Sequence, residues 1–269
     1  MRVKSKYSFL NLFLIFCLSL SIISNCTFAQ ENLTKDTLTE DLKPEQKLDS
    51  NTMSGINGFI DVNGYYDTRS LDVLTVNTLI NLPYRLQYFS FINIFGNAGT
   101  ATMVSLNRYF TEQNIRYISK TTPIDIGGQW VFGNNGFQDL MRFGPRWRVA
   151  DTLGRIGKFF KKINLIYEPS FFPLQFDQSA GYDAQIEQFY RIQIFPKFFG
   201  DRLYASGFID HNFLFGSDNR NDHHMIVTEN QIGFRIYKQL YVVAEHRFYE
   251  FLKSKRQGLG IGLEYQLNF

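Results

Sequence analysis

Cysteine is nearly missing from this 269-residue chain: the two that occur, Cys17 and Cys26, both lie close to the N-terminus. The same region has the three parts of a secretory signal, with basic residues among the first six, a nearly apolar run over 9–23 and small residues up to Ala29. We predict a signal peptide over residues 1–29. The exported chain would then contain no cysteine, so disulfides cannot stabilise it. Lipid attachment at Cys26 is an alternative.

An excess of charge of one sign is also missing. The formal net charge of +3 belongs to the three basic residues of the signal, and the rest of the chain carries 25 cations and 25 Asp plus Glu. We therefore expect no nucleic-acid partner. The sequence also has no glycine-rich phosphate loop, nucleotide fingerprint or Cys/His metal spacing, so we predict no cofactor. Residues 30–54 lack aromatic side chains and are highly polar, which predicts a flexible leader, with a short helix or a lumen plug as the alternative.

The last twelve residues, 258–269 (GLGIGLEYQLNF), alternate between two kinds of side chain. Since successive side chains of a strand point to opposite faces, they predict a strand with one apolar face and one small or polar face. The apolar face consists of Leu259, Ile261, Leu263, Tyr265, Leu267 and Phe269.

This segment, which ends the given sequence on an aromatic residue, resembles the closing strand of bacterial outer-membrane β-barrels. The resemblance implies that Tyr265 and Phe269 belong to the signal read by the barrel assembly machinery. It also implies a bacterial outer-membrane location, with outer-membrane lipid and lipopolysaccharide as further partners. The 28 Phe and 15 Tyr residues suit a barrel with an apolar outside and aromatic girdles.

Residues 55–269 are predicted to form that barrel. The fold class is all-β, a transmembrane antiparallel up-and-down β-barrel of about twelve strands, with ten or fourteen as alternatives. With both termini in the periplasm, the connection 150–162 is long for a periplasmic turn and is predicted to hold a short basic helix. The predicted strands are 55–66, 73–83, 86–96, 110–119, 124–134, 139–149, 163–175, 184–198, 203–215, 223–237, 239–252 and 258–269.

Charged residues within these strands are predicted to face the lumen. An arginine that faces lipid near the bilayer midplane costs about 2–4 kcal/mol, and the strand 139–149 alone contains three. The candidate lumen-lining residues are Glu112, Arg116, Arg142, Arg146, Arg148, Glu168, Glu187, Arg191, Glu229, Arg235, Glu245, Arg247 and Glu264.

The charged interior has two interpretations. It could line a pore for small polar solutes, or opposite charges could neutralise one another and fill a closed structural barrel. We favour the pore because five glycines are expected to face inward and leave room. These glycines are Gly127, Gly144, Gly233, Gly260 and Gly262.

One stretch of the C-terminal third has a more specific resemblance. The run 207–213 (GFIDHNF), followed by 216–218 (GSD) and the aromatic last strand, is similar to the nucleoside-specific channel-forming (Tsx-like) family. The resemblance implies a narrow nucleoside pore in which the aromatic pairs 65–66, 88–89 and 189–190 contact the solute. As an alternative, these pairs belong to the aromatic girdles.

Other classes of protein fit less well. An outer-membrane lipid hydrolase needs a serine within reach of a histidine, but Ser206 and His211 are five residues apart on one strand and so point to opposite faces. We predict no catalytic residue. The histidines 223 and 224 next to Asp222 are interpreted as a solvated loop, not a metal site. An adhesive barrel would need longer loops, and a soluble sandwich or lipocalin-like barrel fits the C-terminus less well.

Overall fold

The computed structural model describes residues 55–97, 108–134, 139–176, 182–215 and 223–269. The predicted signal over 1–29 and the predicted leader over 30–54 lie outside this part of the chain. The 216–218 element of the Tsx-like resemblance also lies outside it.

Within these ranges the chain forms thirteen strand segments, two helices and two short 3-10 turns. The turns are Pro83–Arg85 and Val149–Asp151, and the helices are α1 (Arg155–Lys162) and α2 (Pro196–Phe199). The strands are β1 (Asn57–Asp67), β2 (Leu71–Leu82), β3 (Leu86–Asn97), β4 (Arg108–Tyr117), β5 (Ile124–Gly133), β6 (Leu140–Trp147), β7 (Leu165–Phe172), β8 (Leu174–Gln175), β9 (Tyr182–Gln193), β10 (Leu203–Phe215), β11 (His223–Tyr237), β12 (Leu240–Tyr249) and β13 (Gln257–Asn268).

These strands close on themselves. Each pairs antiparallel with its neighbours, β1 pairs with β13, and β5 pairs with β6, so the ladder has no free edge at either place. The segments β7 and β8 are one strand interrupted at Pro173, because both pair with β6. The fold is therefore a closed antiparallel up-and-down β-barrel of twelve strands, which confirms the predicted fold class.

The two faces of the strands differ as the period of two requires. On β12, for example, Val243, Glu245 and Arg247 are buried, while Val242, Ala244 and His246, which alternate with them, are exposed. The buried side of the sheet is the barrel interior, where side chains from opposite strands cover one another. The barrel is thus inverted relative to a soluble protein, with charge inside and apolar residues outside.

The structure confirms one predicted connection and shortens one predicted strand. The predicted basic helix within 150–162 is confirmed as α1. The predicted strand 184–198 ends earlier, at Gln193, because Phe195 adopts a left-handed conformation with φ of 47° and Pro196 begins α2. No helix in the described part of the chain is long and apolar enough to cross a membrane.

The wall has the fewest paired residues between β6 and its neighbours β7 and β8. Register pairs there are limited to Arg146 with Ser170, Arg142 with Gln175 and Phe143 with Leu174. Three prolines, at 145, 169 and 173, lie along this seam and cannot donate a backbone hydrogen bond. We call this region the β6–β7 seam.

Candidate functional site in the barrel interior

The thirteen charged residues singled out from the sequence lie on the inward side of their strands, or just past the end of β6 for Arg148. The alternation of burial shows this directly: on β4, Arg116 is buried between the exposed Ile115 and Tyr117. The buried ones are Glu112, Arg116, Arg142, Arg146, Glu187, Glu245, Arg247 and Glu264, and the half-buried ones are Arg148, Glu168, Arg191, Glu229 and Arg235.

One group of these residues surrounds Arg146. Its guanidinium contacts Asp125 at 2.6 Å and Glu168 at 2.9 Å, and Nη1 donates to Gln87 Oε1 at 3.0 Å. Arg148 Nε also contacts Asp125, at 2.9 Å. Because Gln87 belongs to β3, this contact reaches across the lumen as well as along the wall.

Arg142 forms a neighbouring set of polar contacts, nearer the other end of the barrel. Its Nη2 lies 2.6 Å from an Asp183 carboxylate oxygen, and its Nη1 donates to Gln185 at 2.6 Å and Gln129 at 3.0 Å. Gln129 Nε2 in turn donates to Glu187 at 3.3 Å. The two arginines therefore link β5, β6 and β9 through polar contacts.

A second group fills the opposite part of the interior, between β1 and the strands β10 to β13. Tyr204 and Gln231 both donate to Glu264, and Tyr65 donates to Gln231. Arg247 pairs with Glu245. The Arg247 guanidinium lies 5.0 Å from the centre of the Tyr65 ring and the Arg191 guanidinium 4.2 Å from that of Tyr204, so the buried tyrosine rings are covered by charged side chains.

Two phenylalanines meet between these groups. Phe91 on β3 and Phe208 on β10 have ring centroids 6.0 Å apart and nearly stacked planes. In a ring of twelve strands β3 and β10 are diametrically opposite. The contact therefore spans the lumen, and we call the pair the aromatic constriction.

The sequence did not single out Phe91, although its inward position follows from the alternation in 86–96. For the aromatic pairs 65–66, 88–89 and 189–190, the structure turns one ring of each inward and the other outward, as neighbouring strand positions require. Phe89, for instance, points inward, and the central carbon of the Arg116 guanidinium lies 5.4 Å from the centre of its ring. Its neighbour Tyr88 donates to Gln113 on the outer face.

The room expected from the inward glycines is already occupied, which corrects the sequence interpretation. A Cβ atom at Gly233 would overlap the Tyr204 ring, and one at Gly260 would lie 3.3 Å from the Tyr65 ring. At Gly144 and Gly262 the neighbouring strand itself approaches, so that a Cβ atom would overlap a backbone carbonyl. At Gly127 the Arg116 side chain takes the space. Side chains or backbone of the neighbouring strands therefore occupy the space beside these glycines.

Several interior polar atoms nevertheless retain hydrogen-bonding capacity. Among the described residues, those without a hydrogen-bond partner in the protein include Asn63 Oδ1, Asn114 Oδ1, Arg142 Nε, Ser170 Oγ, Asp210 Oδ1, Arg247 Nη1 and Arg247 Nη2. Buried polar groups in folded proteins are almost always satisfied by protein or water. The interior is thus suited to contain water or a polar solute.

The outer wall has the opposite chemistry. Large apolar side chains are exposed around it, on a scale that in a water-soluble protein would mark an interaction surface. They include Tyr66, Ile115, Tyr117, Ile124, Ile126, Trp130, Met141, Phe143, Trp147, Phe171, Leu174, Ile232, Val242, Leu259 and Ile261.

Among the described residues, Ser206 and His211, considered for a catalytic pair, lie on opposite faces of β10. Ser206 is opposite Arg191 and Gln231 on the inward side, whereas His211 is on the outer face, with Nδ1 3.0 Å from His224 Nε2. Asp222 lies outside the described residues. In the part of the chain that the structure describes, no three His, Cys, Asp or Glu side chains are grouped to hold a metal ion.

Comparison with known proteins gives similarity to solved porins. No protein-family model and no curated protein matches the chain. The KdgM porin, also solved in complex with disordered oligogalacturonate, is 10% identical over 77% of this chain and 98% of its own, with a TM-score of 0.44. A Rhodopseudomonas blastica porin triple mutant is 6% identical over 79% of this chain and 99% of its own, with a TM-score of 0.34. Such values do not identify a family, so the functional argument depends on the barrel's own geometry.

Proposed function

We propose that this chain is a bacterial outer-membrane channel for small polar solutes. The observation that carries the proposal is the inverted barrel: its interior holds charged and polar groups with unsatisfied hydrogen-bonding capacity, and its exterior is apolar. The predicted signal over 1–29 supports export, and the leader over 30–54 would lie in the periplasm. The proposal includes no catalytic residue and no cofactor.

The apolar wall supports a membrane location on energetic grounds. Burying apolar surface stabilises by about 25 cal/mol per Å², and a bilayer supplies that burial for the outer wall. The inward arginines would be costly on the lipid side, at about 2–4 kcal/mol each near the midplane. Both energies favour apolar side chains on the outer wall and charged side chains in the interior only if lipid surrounds the barrel.

The interior supports selective passage of small solutes. Opposite charges on neighbouring strands, such as Arg146 with Asp125 and Glu168, create an electrically structured path, as charged side chains do in other pores. The aromatic constriction of Phe91 and Phe208 limits the width of this path. As a finer proposal, the solutes include nucleosides, since the rings of Phe91 and Phe208, which meet in the lumen, can stack on a base.

The test is planar-bilayer conductance of refolded residues 30–269, comparing the natural sequence with the double variant F91A/F208A. Truncating both rings should raise single-channel conductance severalfold, because it removes the two rings that meet across the lumen. The matched control is I92A/I209A, which removes side chains of similar size from the outer face of the same two strands and should leave conductance unchanged. Nucleosides, sugars and amino acids added as blockers would identify the solute class.

A closed structural barrel is the second candidate, favoured by one observation. Arg247 is 0% exposed and Glu264 1% exposed, so these charges are covered by protein in the packed interior. If both the natural sequence and F91A/F208A insert but remain silent, the closed barrel replaces the channel. A silent natural sequence with a conducting double variant would instead identify the constriction as a gate.

A further inference from the structure

The helix α1 is an unusual addition to a barrel turn. It follows β6 at the end of the barrel where β1 begins and β13 ends. Half of its eight residues are cations, at 155, 158, 161 and 162, and all four are exposed. Ile156 and Phe159 are exposed as well, and Leu153 just before the helix is 94% exposed. The turn therefore presents apolar and basic side chains together.

Contacts fix this helix to the outer side of the wall. The ring of Phe160 stacks on Tyr167 of β7, with centroids 6.0 Å apart. Tyr167 is on the outer face, since its neighbour Glu168 points inward to Arg146. Trp147 Nε1, at the end of β6, donates to Thr152 Oγ1 at 2.8 Å. The helix is thus continuous with the apolar outer wall.

Further contacts set the helix orientation. Gly157 is buried against the carbonyl groups of Ala150 and Thr152, where a Cβ atom would overlap the backbone. Lys161 Nζ lies 3.6 Å from Asp151, which also pairs with Arg148 at the barrel mouth. The exposed apolar residues are therefore held in place rather than free to fold back onto the barrel.

We propose that α1 is an interfacial anchor that binds anionic phospholipid headgroups in the leaflet at this end of the barrel. Its cations pair with lipid phosphates, and Leu153, Ile156 and Phe159 enter the acyl boundary. Amphipathic basic helices lie in membrane interfaces in this way, and each cation near an anionic surface adds to the attraction. The proposal rests on the membrane location proposed above, and the continuity of α1 with the outer wall selects lipid over a soluble partner.

The test places an environment-sensitive fluorophore at residue 153 through Leu153→Cys in residues 30–269, which contain no other cysteine. The protein is reconstituted in vesicles of phosphatidylcholine alone or with phosphatidylglycerol. Quenching by lipids that carry a nitroxide on the acyl chain reports depth, and iodide reports exposure to water. Insertion is checked separately by co-flotation with vesicles and by the mobility shift of folded barrels on unheated gels. Failure of the membrane proposal can therefore be distinguished from failure of the anchor proposal.

Adding phosphatidylglycerol to the vesicles should move the fluorophore deeper into the membrane. The variant K158Q/K161Q/K162Q should abolish this shift in depth. About 1 M salt should abolish it as well, because the Debye length is then about 3 Å. The matched control, K253Q/K255Q/R256Q, removes three cations from the opposite end and should leave the label depth unchanged. Equal depth in both vesicle types, or a label quenched by iodide but not by the lipid nitroxides in inserted protein, would overturn the proposal. The second result would indicate that α1 faces the periplasm.

Discussion

At the residue scale, Arg146 combines a structural and a functional role. Its partner Asp125 is fully buried and receives contacts from both Arg146 and Arg148. Removing one partner of a buried ion pair leaves an uncompensated charge, which typically costs about 3–5 kcal/mol. The interior charges are therefore expected to stabilise the barrel mutually, whatever passes through it.

We predict that Arg146→Ala lowers the free energy of unfolding by about 3 kcal/mol, near the lower end of that range because Arg148 still pairs with Asp125. Urea unfolding in detergent micelles measures the change. Adding Asp125→Asn to the variant should recover part of the loss, since the buried charge is then removed as well. Lys253→Ala, which removes an exposed cation, serves as the control and should change stability by less than about 0.5 kcal/mol. An Arg146 variant as stable as this control would contradict the argument.

At the element scale, the β6–β7 seam shows how a barrel closes where prolines limit hydrogen bonding. Backbone pairs are sparse there, but Arg146 bridges to Glu168 on β7 and Arg142 reaches Asp183 on β9. Gly144 lets β6 and β7 approach so closely that a side chain at this position would overlap the Phe171 carbonyl. Side-chain ion pairs and one glycine thus compensate for the missing backbone bonds.

We predict that Gly144→Ala prevents closure of this seam or strongly destabilises it, because a backbone atom of the neighbouring strand cannot yield as a side chain can. The measurement is the fraction of refolded protein with the mobility of a folded barrel on unheated gels. Gly260→Ala is the matched control: its Cβ atom would lie 3.3 Å from the Tyr65 ring, a side chain that can shift slightly. If both variants refold with equal yield, close backbone approach at the seam is unimportant.

At the scale of the whole molecule, the alternation of side chains allowed a prediction of about twelve strands, because a period of two defines inward and outward faces locally. Contacts across the lumen could not be predicted in this way. The meeting of Phe91 with Phe208 depends on the stagger of strands far apart in sequence, which no local pattern contains. Glycine was misleading for a different reason: Tyr204 on the adjacent strand β10 is the register partner of Gly233, and its ring fills the space beside the glycine.

Phe269, which the sequence resemblance assigned to the assembly signal, also takes part in barrel closure. The backbone of Phe269 exchanges two hydrogen bonds with Gly58, at 2.9 and 3.1 Å, where β13 meets β1. Its side chain is exposed on the outer side and remains available to an assembly factor. The backbone and the ring of Phe269 can therefore be tested separately.

We predict that deleting Phe269 reduces both refolding into micelles and assembly in cells, since the backbone bonds and the ring are both lost. Phe269→Ala retains the backbone bonds, so it should refold in micelles like the natural sequence but assemble poorly in the outer membrane. Phe269→Tyr, which keeps an aromatic ring, should do both normally. Membrane fractionation and gel mobility measure the two properties. Normal assembly of Phe269→Ala would show that the ring is not part of the assembly signal, whereas poor refolding of that variant would make its role structural.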